Sequence, residues 1–218
     1  MRAVGIILAG GDSNKLRELT YRRAVAAMPI AGSYRSIDFA LSNMANSHVN
    51  KVAVLTQYNS RSLNEHLNSS KWWDFGRKQG GLYVFPPTIT KENGDWYRGT
   101  ADAIYQNLDF LKRCHEPYVI ITSGDAVYKL DYSKVLEYHM DTKADITVVC
   151  KEMESDTDFS RFGTIKVNDE MRIVEFEEKT SLPSSHLIST GIYIIRRRML
   201  IDLIEQSAVE KKYDFVRD

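Results

Sequence analysis

Asp125 follows Ser123 and Gly124 directly after the apolar run Tyr118 to Thr122. In open α/β sheets ligands collect beyond the carboxyl ends of the strands, and one or two carboxylates combined with substrate phosphates are the usual way to hold Mg²⁺. The competing reading is a carboxylate that caps the turn after Gly124. The apolar run Val4 to Ala9 ends in Gly10 and Gly11, and Lys15 follows four residues later. Paired glycines let backbone N–H groups approach phosphate oxygens closely; a plain turn is the alternative. The spacing fits neither a P-loop, because Leu16 follows Lys15 and the second glycine is missing, nor G-x-G-x-x-G.

Two further stretches have chemistry to offer. Gly99 and Thr100 open a helical pattern, and the free N–H groups of a helix start favour an anion, unless Thr100 is an ordinary N-cap. Glu178 and Lys179 stand just past a strand. Together they suit a sugar hydroxyl and a phosphate, or they form a solvated charge cluster.

These residues need a scaffold, and the hydrophobic pattern supplies one. Ala3 to Leu8, Val52 to Thr56, Leu82 to Phe85, Tyr118 to Thr122 and Ile146 to Cys150 read as buried strands. Between them Ile37 to Ala45, Ser60 to Asn68, Ala101 to Cys114 and Ser133 to Thr142 carry helical spacing. Ala101, Ile104, Tyr105, Leu108 and Leu111 share one face. This alternation predicts an α/β fold, a mainly parallel Rossmann-like sheet with right-handed crossovers. After Cys150 the strands Gly163 to Val167, Ile173 to Phe176 and Ile192 to Ile195 follow with little helix between them, which predicts an antiparallel extension. Thr180 to Ser185 reads as a loop.

The 218 residues suffice for one sizeable core. Lys plus Arg number 29 and Asp plus Glu number 29, so no net field draws the protein to nucleic acid or to an acidic membrane. Arg196, Arg197 and Arg198 read as a solvated helix start rather than a nucleic-acid contact. Cys114 and Cys150 follow no metal-ligand spacing, which predicts buried, reduced thiols and a cytoplasmic location. The N-terminal apolar run is too short for a signal peptide, and no run approaches the ~20 residues of a membrane span. The ending YDFVRD carries no stop signal and reads as a cut chain.

A series of motifs resembles the sugar-nucleotide pyrophosphorylases, and most closely the bacterial ADP-glucose pyrophosphorylases. The series is LAGG (8–11), YRSIDFALSN (34–43), VLTQY (54–58), WYRGTADAIYQN (96–107), SGD with YKLDY (123–132), SRFG (160–163), VEFEEK (174–179) and STGIYI (189–194). The resemblance covers almost the whole chain as one nucleotidyltransferase domain, with a left-handed β-helix domain of the family lying outside it. It implies the reaction of ATP with glucose 1-phosphate, giving ADP-glucose and pyrophosphate with Mg²⁺. It also implies roles. Leu8, Ala9, Gly10, Gly11, Gln57, Gly99 and Thr100 would line the nucleotide pocket. Tyr97, Gly163, Glu178, Lys179 and Ser189 would receive glucose 1-phosphate, and Asp125 and Asp214 would hold the metal.

The departures from that pattern are concentrated at the phosphates. Active subunits read approximately LAGGxGxRL, whereas this chain has Ser13 for the later glycine and Lys15 for the arginine, with Asp12 adding a negative charge. The family's AKPA becomes Ala24-Val25-Ala26-Ala27, and the histidine of GDH becomes Ala126. A guanidinium clamps two phosphate oxygens at once, while Lys15 offers a point charge on a flexible stem. Each lost charge-assisted contact is about 1.5–3 kcal/mol. The pattern resembles the noncatalytic GlgD-type subunit, implying a catalytic sister subunit in a hetero- or homo-oligomer. The alternatives are a catalytically active glucose-1-phosphate adenylyltransferase, or a transferase for another nucleotide sugar.

Overall fold

The computed structural model describes residues 2–11, 14–68, 73–76, 80–90, 94–154, 157–180 and 184–218, with the backbone alone for Asn14 and Lys15. The predicted centre of the sheet is present. β1 (Ala3–Ala9) lies between β4 (Lys51–Thr56) and β6 (Tyr118–Ser123), and β5 (Gly81–Phe85) extends it beyond β4, all four running parallel. The two-residue strands β2 (Pro29–Ile30) and β3 (Tyr34–Arg35) form a separate small hairpin.

The antiparallel extension begins at β10 (Leu187–Arg196), which pairs with β6. β7 (Ile146–Glu152) and β8 (Gly163–Val167) each pair with β10, and β9 (Ile173–Glu178) pairs with β8, all antiparallel. The order of the main path is β5-β4-β1-β6-β10-β8-β9. β10 is longer than the predicted Ile192 to Ile195 because its pairing with β7 resumes at Ser189 and runs back to Leu187 beyond a register shift between Ser189 and Ile192. Gly191, at φ +73°, occupies the left-handed region there, which costs glycine little.

Alternation along the strands sends side chains into two cores. Ile7, Ile120 and Ile194 face one, with Ile37, Leu41 and Met44 of α1 (Ser36–Asn46), Leu63 of α2 (Arg61–Leu67) and Leu136 of α5 (Tyr132–Asp141). Ile6, Ile121 and Ile195 face the other, with Ile104 of α3 (Thr100–Gln106), Leu108 and Leu111 of α4 (Leu108–Arg113), and Leu200 and Ile204 of α6 (Arg197–Val209). Helices therefore cover both faces of the parallel region, leaving the strand ends free to build a site.

Three expectations change in detail. The single helix predicted over 101–114 is broken at Asn107, whose side chain donates to the Ala103 carbonyl (2.8 Å) and to the Tyr97 hydroxyl (2.9 Å). Local side-chain bonding of this kind competes with helix continuation. Arg197 is not simply solvated: its Nε donates to the Glu116 carbonyl (2.8 Å) and its Nη1 to the Leu111 carbonyl (3.1 Å), bracing α6 against the end of α4. Both cysteines are free thiols, but only Cys114 is fully buried. Of the predicted loop 180–185, residues 181–183 lie outside the described residues. Among the described residues no helix is long and apolar enough to cross a membrane.

Candidate functional site

The carboxyl ends of β1, β4 and β6 open into a cleft of about 380 Å³, within the size range of small-ligand sites. Leu8, Ala9, Gly10, Gly11, Gln57, Tyr97, Gly99, Thr100 and Asp125 line it, so the structure brings together every residue expected at the nucleotide, together with Tyr97 from the sugar-phosphate group. Gly124 holds the β6 loop hard against β1. Its N–H donates to the Leu8 carbonyl (2.9 Å), and a Cβ there would come within 3.2 Å of both Ala9 Cβ and Ile7 Cγ2. Asp125 is thereby delivered beside the Gly10–Gly11 backbone. The Lys15 side chain lies outside the described residues, as do Asp12 and Ser13.

Gln57 and Tyr97 form a reciprocal pair across the cleft wall. The Tyr97 N–H donates to Gln57 Oε1 (2.8 Å) and Gln57 Nε2 donates to the Tyr97 carbonyl (3.3 Å). The buried Tyr97 hydroxyl donates to the Phe85 carbonyl (3.1 Å) and accepts from Asn107. Tyr97 is thus held at both its backbone and its ring end, and burial raises the pKa of its phenol.

The start of α3 is not an open anion site. The Tyr213 carbonyl accepts the N–H of Ala101 (2.8 Å) and of Asp102 (3.3 Å), and Thr100 Oγ1 accepts the Phe215 N–H (2.8 Å) instead of capping its own helix. Gly99 allows this crossing, because a Cβ there would stand 2.8 Å from the Tyr213 carbonyl carbon. Arg98 completes the latch: its guanidinium lies 4.0 Å from the centre of the Tyr213 ring and pairs with the buried Asp102 carboxylate (3.2 Å). Asp102 and Tyr213 therefore already engage the one cation among the described residues that line the cleft.

The donors suit Mg²⁺ only in part. Asp125 is exposed to the cleft and accepts a hydrogen bond from the Ser123 hydroxyl, leaving oxygen lone pairs available to a hard cation. Asp214 is not among the lining residues, and its Oδ1 accepts the N–H groups of Val216 and Arg217 (both 2.9 Å). No group of three or more His, Cys, Asp or Glu side chains converges among the described residues. A single carboxylate with phosphate oxygens remains a sufficient protein contribution for Mg²⁺.

Gly163, Glu178, Lys179 and Ser189 gather outside that cleft, on the antiparallel strands. Gly163 pairs with Glu178, and Ile188 pairs with Thr164. Because Tyr193 lies opposite Ile121 and β10 runs antiparallel to β6, Ser189 lies past the carboxyl end of β6, on the side where Asp125 emerges. Lys179 Nζ pairs with Glu178 Oε1 at 2.9 Å, Lys179 exposed and Glu178 half-buried, and such a pair contributes little to stability. The Ser189 and Tyr193 hydroxyls are 3.2 Å apart. Burial, and then the nearby Glu178, Cys150 and Asp214, raise the Tyr193 pKa, so its phenol stays a hydrogen-bonding group.

Ala26, Tyr58, Arg98 and Ser123, which sequence reasoning gave no role, also line the cleft, and so does Val25, the position of the missing lysine. Ser123 and Arg98 sit inside quoted motifs and were findable by adjacency. Tyr58, stacked on Trp96 at 5.8 Å between centroids, closes the VLTQY motif and was findable in the same way.

Comparison with known proteins agrees with this architecture. Proteins named glucose-1-phosphate adenylyltransferase from Bacillus thuringiensis (strain Al Hakam), Bacillus cereus (strain Q1) and Bacillus anthracis are each 44% identical over 219 residues, covering 100% of this chain. The chain spans 58% of the length of each of these relatives. The Nucleotidyl transferase family profile matches residues 4–218. With its motifs on the cleft and the match running almost end to end, the chain belongs to the nucleotidyl transferase family.

Proposed function

We propose that this chain is the nucleotidyltransferase part of a GlgD-type subunit of glucose-1-phosphate adenylyltransferase, a cytoplasmic protein that modulates a catalytic sister subunit and has little activity of its own. The observation that carries the reading is Val25. It lines the cleft at the position where the resembled family carries the lysine of its AKPA motif. A methyl-bearing wall stands where a cation would meet the triphosphate.

In the family reaction an oxygen of glucose 1-phosphate attacks the α-phosphorus of ATP and pyrophosphate departs. Catalysis consists of alignment and charge neutralisation. Gly10 and Gly11 offer backbone to the phosphates, Gln57 and Tyr97 form the wall beside the nucleotide, and Glu178, Lys179 and Ser189 receive the sugar phosphate. Asp125 would hold Mg²⁺, which when bound supplies positive charge to the phosphate oxygens. Asp214 would act from the 213–218 segment that latches onto Arg98, Gly99 and Thr100 rather than from the cleft wall. The subunit keeps the means to bind ligands and lacks cations that would stabilise the transition state.

ADP-glucose formation by the purified full-length protein, with and without its sister subunit, tests this. Little synthesis alone and altered kinetics of the sister subunit in the mixture are expected. Robust synthesis by the isolated protein would instead identify an active adenylyltransferase.

A further inference from the structure

Asp125 sits on a loop, 124–131, that is exposed at Asp125, Val127 and Lys129 and yet tied down on both sides. On one side the Gly124 N–H holds the Leu8 carbonyl. On the other, the buried Asn43 of α1 bonds the loop backbone with both ends of its amide: Nδ2 donates to the Tyr128 carbonyl (3.0 Å) and Oδ1 accepts the Leu130 N–H (3.2 Å). One turn further on, just past the end of α1, Ser47 Oγ accepts the Tyr132 N–H (2.9 Å). Asn43 does not line the cleft, so it has no direct route to a ligand there.

From this geometry we propose that Asn43 is a positioning residue for Asp125, fixing the carboxylate where the metal of a metal–nucleotide complex would sit. The proposal rests on the reading of Asp125 as the Mg²⁺ ligand. The amide replaces the neighbouring strand that an exposed loop lacks, satisfying one carbonyl and one N–H that would otherwise be left to solvent exchange. Without it, the loop keeps the bonds of the Gly124 N–H to Leu8, of Asp125 to Ser123, of the Tyr128 hydroxyl and of the Tyr132 N–H to Ser47. Residues that orient metal ligands without touching the metal typically contribute a factor of ~10–100 in metal affinity.

A second set of bonds separates positioning from stability. The Tyr128 hydroxyl lies 2.6 Å from Thr122 Oγ1 and 2.5 Å from the Tyr132 hydroxyl. Burial raises the pKa of both phenols, so this buried chain stays protonated and acts as a structural clamp. Tyr128→Phe breaks that chain, together with the contact between the Tyr128 hydroxyl and the Asn43 side chain, and leaves the two Asn43 bonds to backbone in place.

The test is calorimetric titration of ATP into the full-length protein with and without Mg²⁺. In Asn43→Ala, metal-free ATP affinity should be unchanged, while the gain in affinity that Mg²⁺ gives falls about tenfold or vanishes. Asp125→Asn should lose the same gain, and the double variant should lose no more. Tyr128→Phe should lower the melting temperature and retain the gain. Should Asn43→Ala not fold, Asn43→Asp, which keeps the acceptor for Leu130 but has no donor for the Tyr128 carbonyl, takes its place with the same expected loss. A full gain in the Asn43 variant, or an equal loss in Tyr128→Phe, overturns the proposal. Wild-type protein that binds ATP with no Mg²⁺ gain overturns both it and the metal role of Asp125. Wild-type protein that binds no ATP overturns the proposed function itself.

Discussion

Substituting Val25 by lysine returns a cation to the cleft wall without disturbing its backbone. Val25 opens a 3₁₀ turn (Val25–Ala27) between buried Ala24 and Ala26, and its carbonyl accepts the Ser36 hydroxyl (2.9 Å) and the Met28 N–H (3.0 Å). The side chain is half-buried and faces the cleft, so a lysine can lay its stem along the apolar wall and keep its head in water. A charge-assisted contact to a phosphate oxygen contributes about 1.5–3 kcal/mol, which corresponds to roughly 10- to 150-fold tighter binding at 1.4 kcal/mol per tenfold. Asp125 lines the same cleft and would attract the new ammonium in the free protein, which places the expected gain near the lower figure. Calorimetric titration of Mg²⁺–ATP measures it, with the melting temperature as the check on folding. Combining Val25→Lys with Lys15→Arg should raise ADP-glucose formation by at least about tenfold, the equivalent of one recovered contact. A folded Val25→Lys protein with unchanged ATP affinity would refute the argument that a missing cation weakens this site.

Two further outcomes follow from the packing. His139 is 1% exposed, its Nδ1 bonds Thr147 Oγ1 (2.8 Å) and its Nε2 has no hydrogen-bond partner among the described residues. Burial, and then Arg196, hold its pKa below the ordinary 6.5. The unfolded chain therefore takes up a proton that the native state resists, so this contribution is complete above pH 6.5 and declines as pH falls below it. Urea midpoints should drop more between pH 7 and pH 5 for the wild type than for His139→Gln, and equal drops would contradict the assignment. Gly99→Ala should push the Tyr213 carbonyl away. Overpacking of about 1–3 kcal/mol lowers the melting temperature by roughly 2–12 °C at this chain length, with faster proteolysis of residues 213–218; an unchanged melting temperature would rule the clash out.

The parallel core was legible because Val4 to Ile7, Val52 to Leu55 and Val119 to Ile121 are buried on both faces and so read as continuous apolar runs. Even the antiparallel extension announced itself, through short strands without helices. The bonds of single side chains were not legible. Nothing in the helical pattern of 101–114 reveals that Asn107 will turn to the Tyr97 hydroxyl and break the helix, since Tyr97 is reached only in the folded state. The supposed anion site at Thr100 failed for the same reason: its N–H groups are taken by Tyr213, more than a hundred residues away in sequence. At the site, motifs located Gly10, Gly11, Gln57 and Asp125 on one cleft, but Asp214 does not line it, because its carboxylate caps its own turn. Val25 was visible as a missing lysine, and only the fold places it on the cleft wall.

The most direct measurement is the rate of ADP-glucose formation from ATP and glucose 1-phosphate by the full-length protein with no sister subunit present. A cleft lined by Asp125, Gly10 and Gly11, with Val25 on its wall, predicts turnover far below the ~10 s⁻¹ typical of enzymes. Turnover near that value would contradict it.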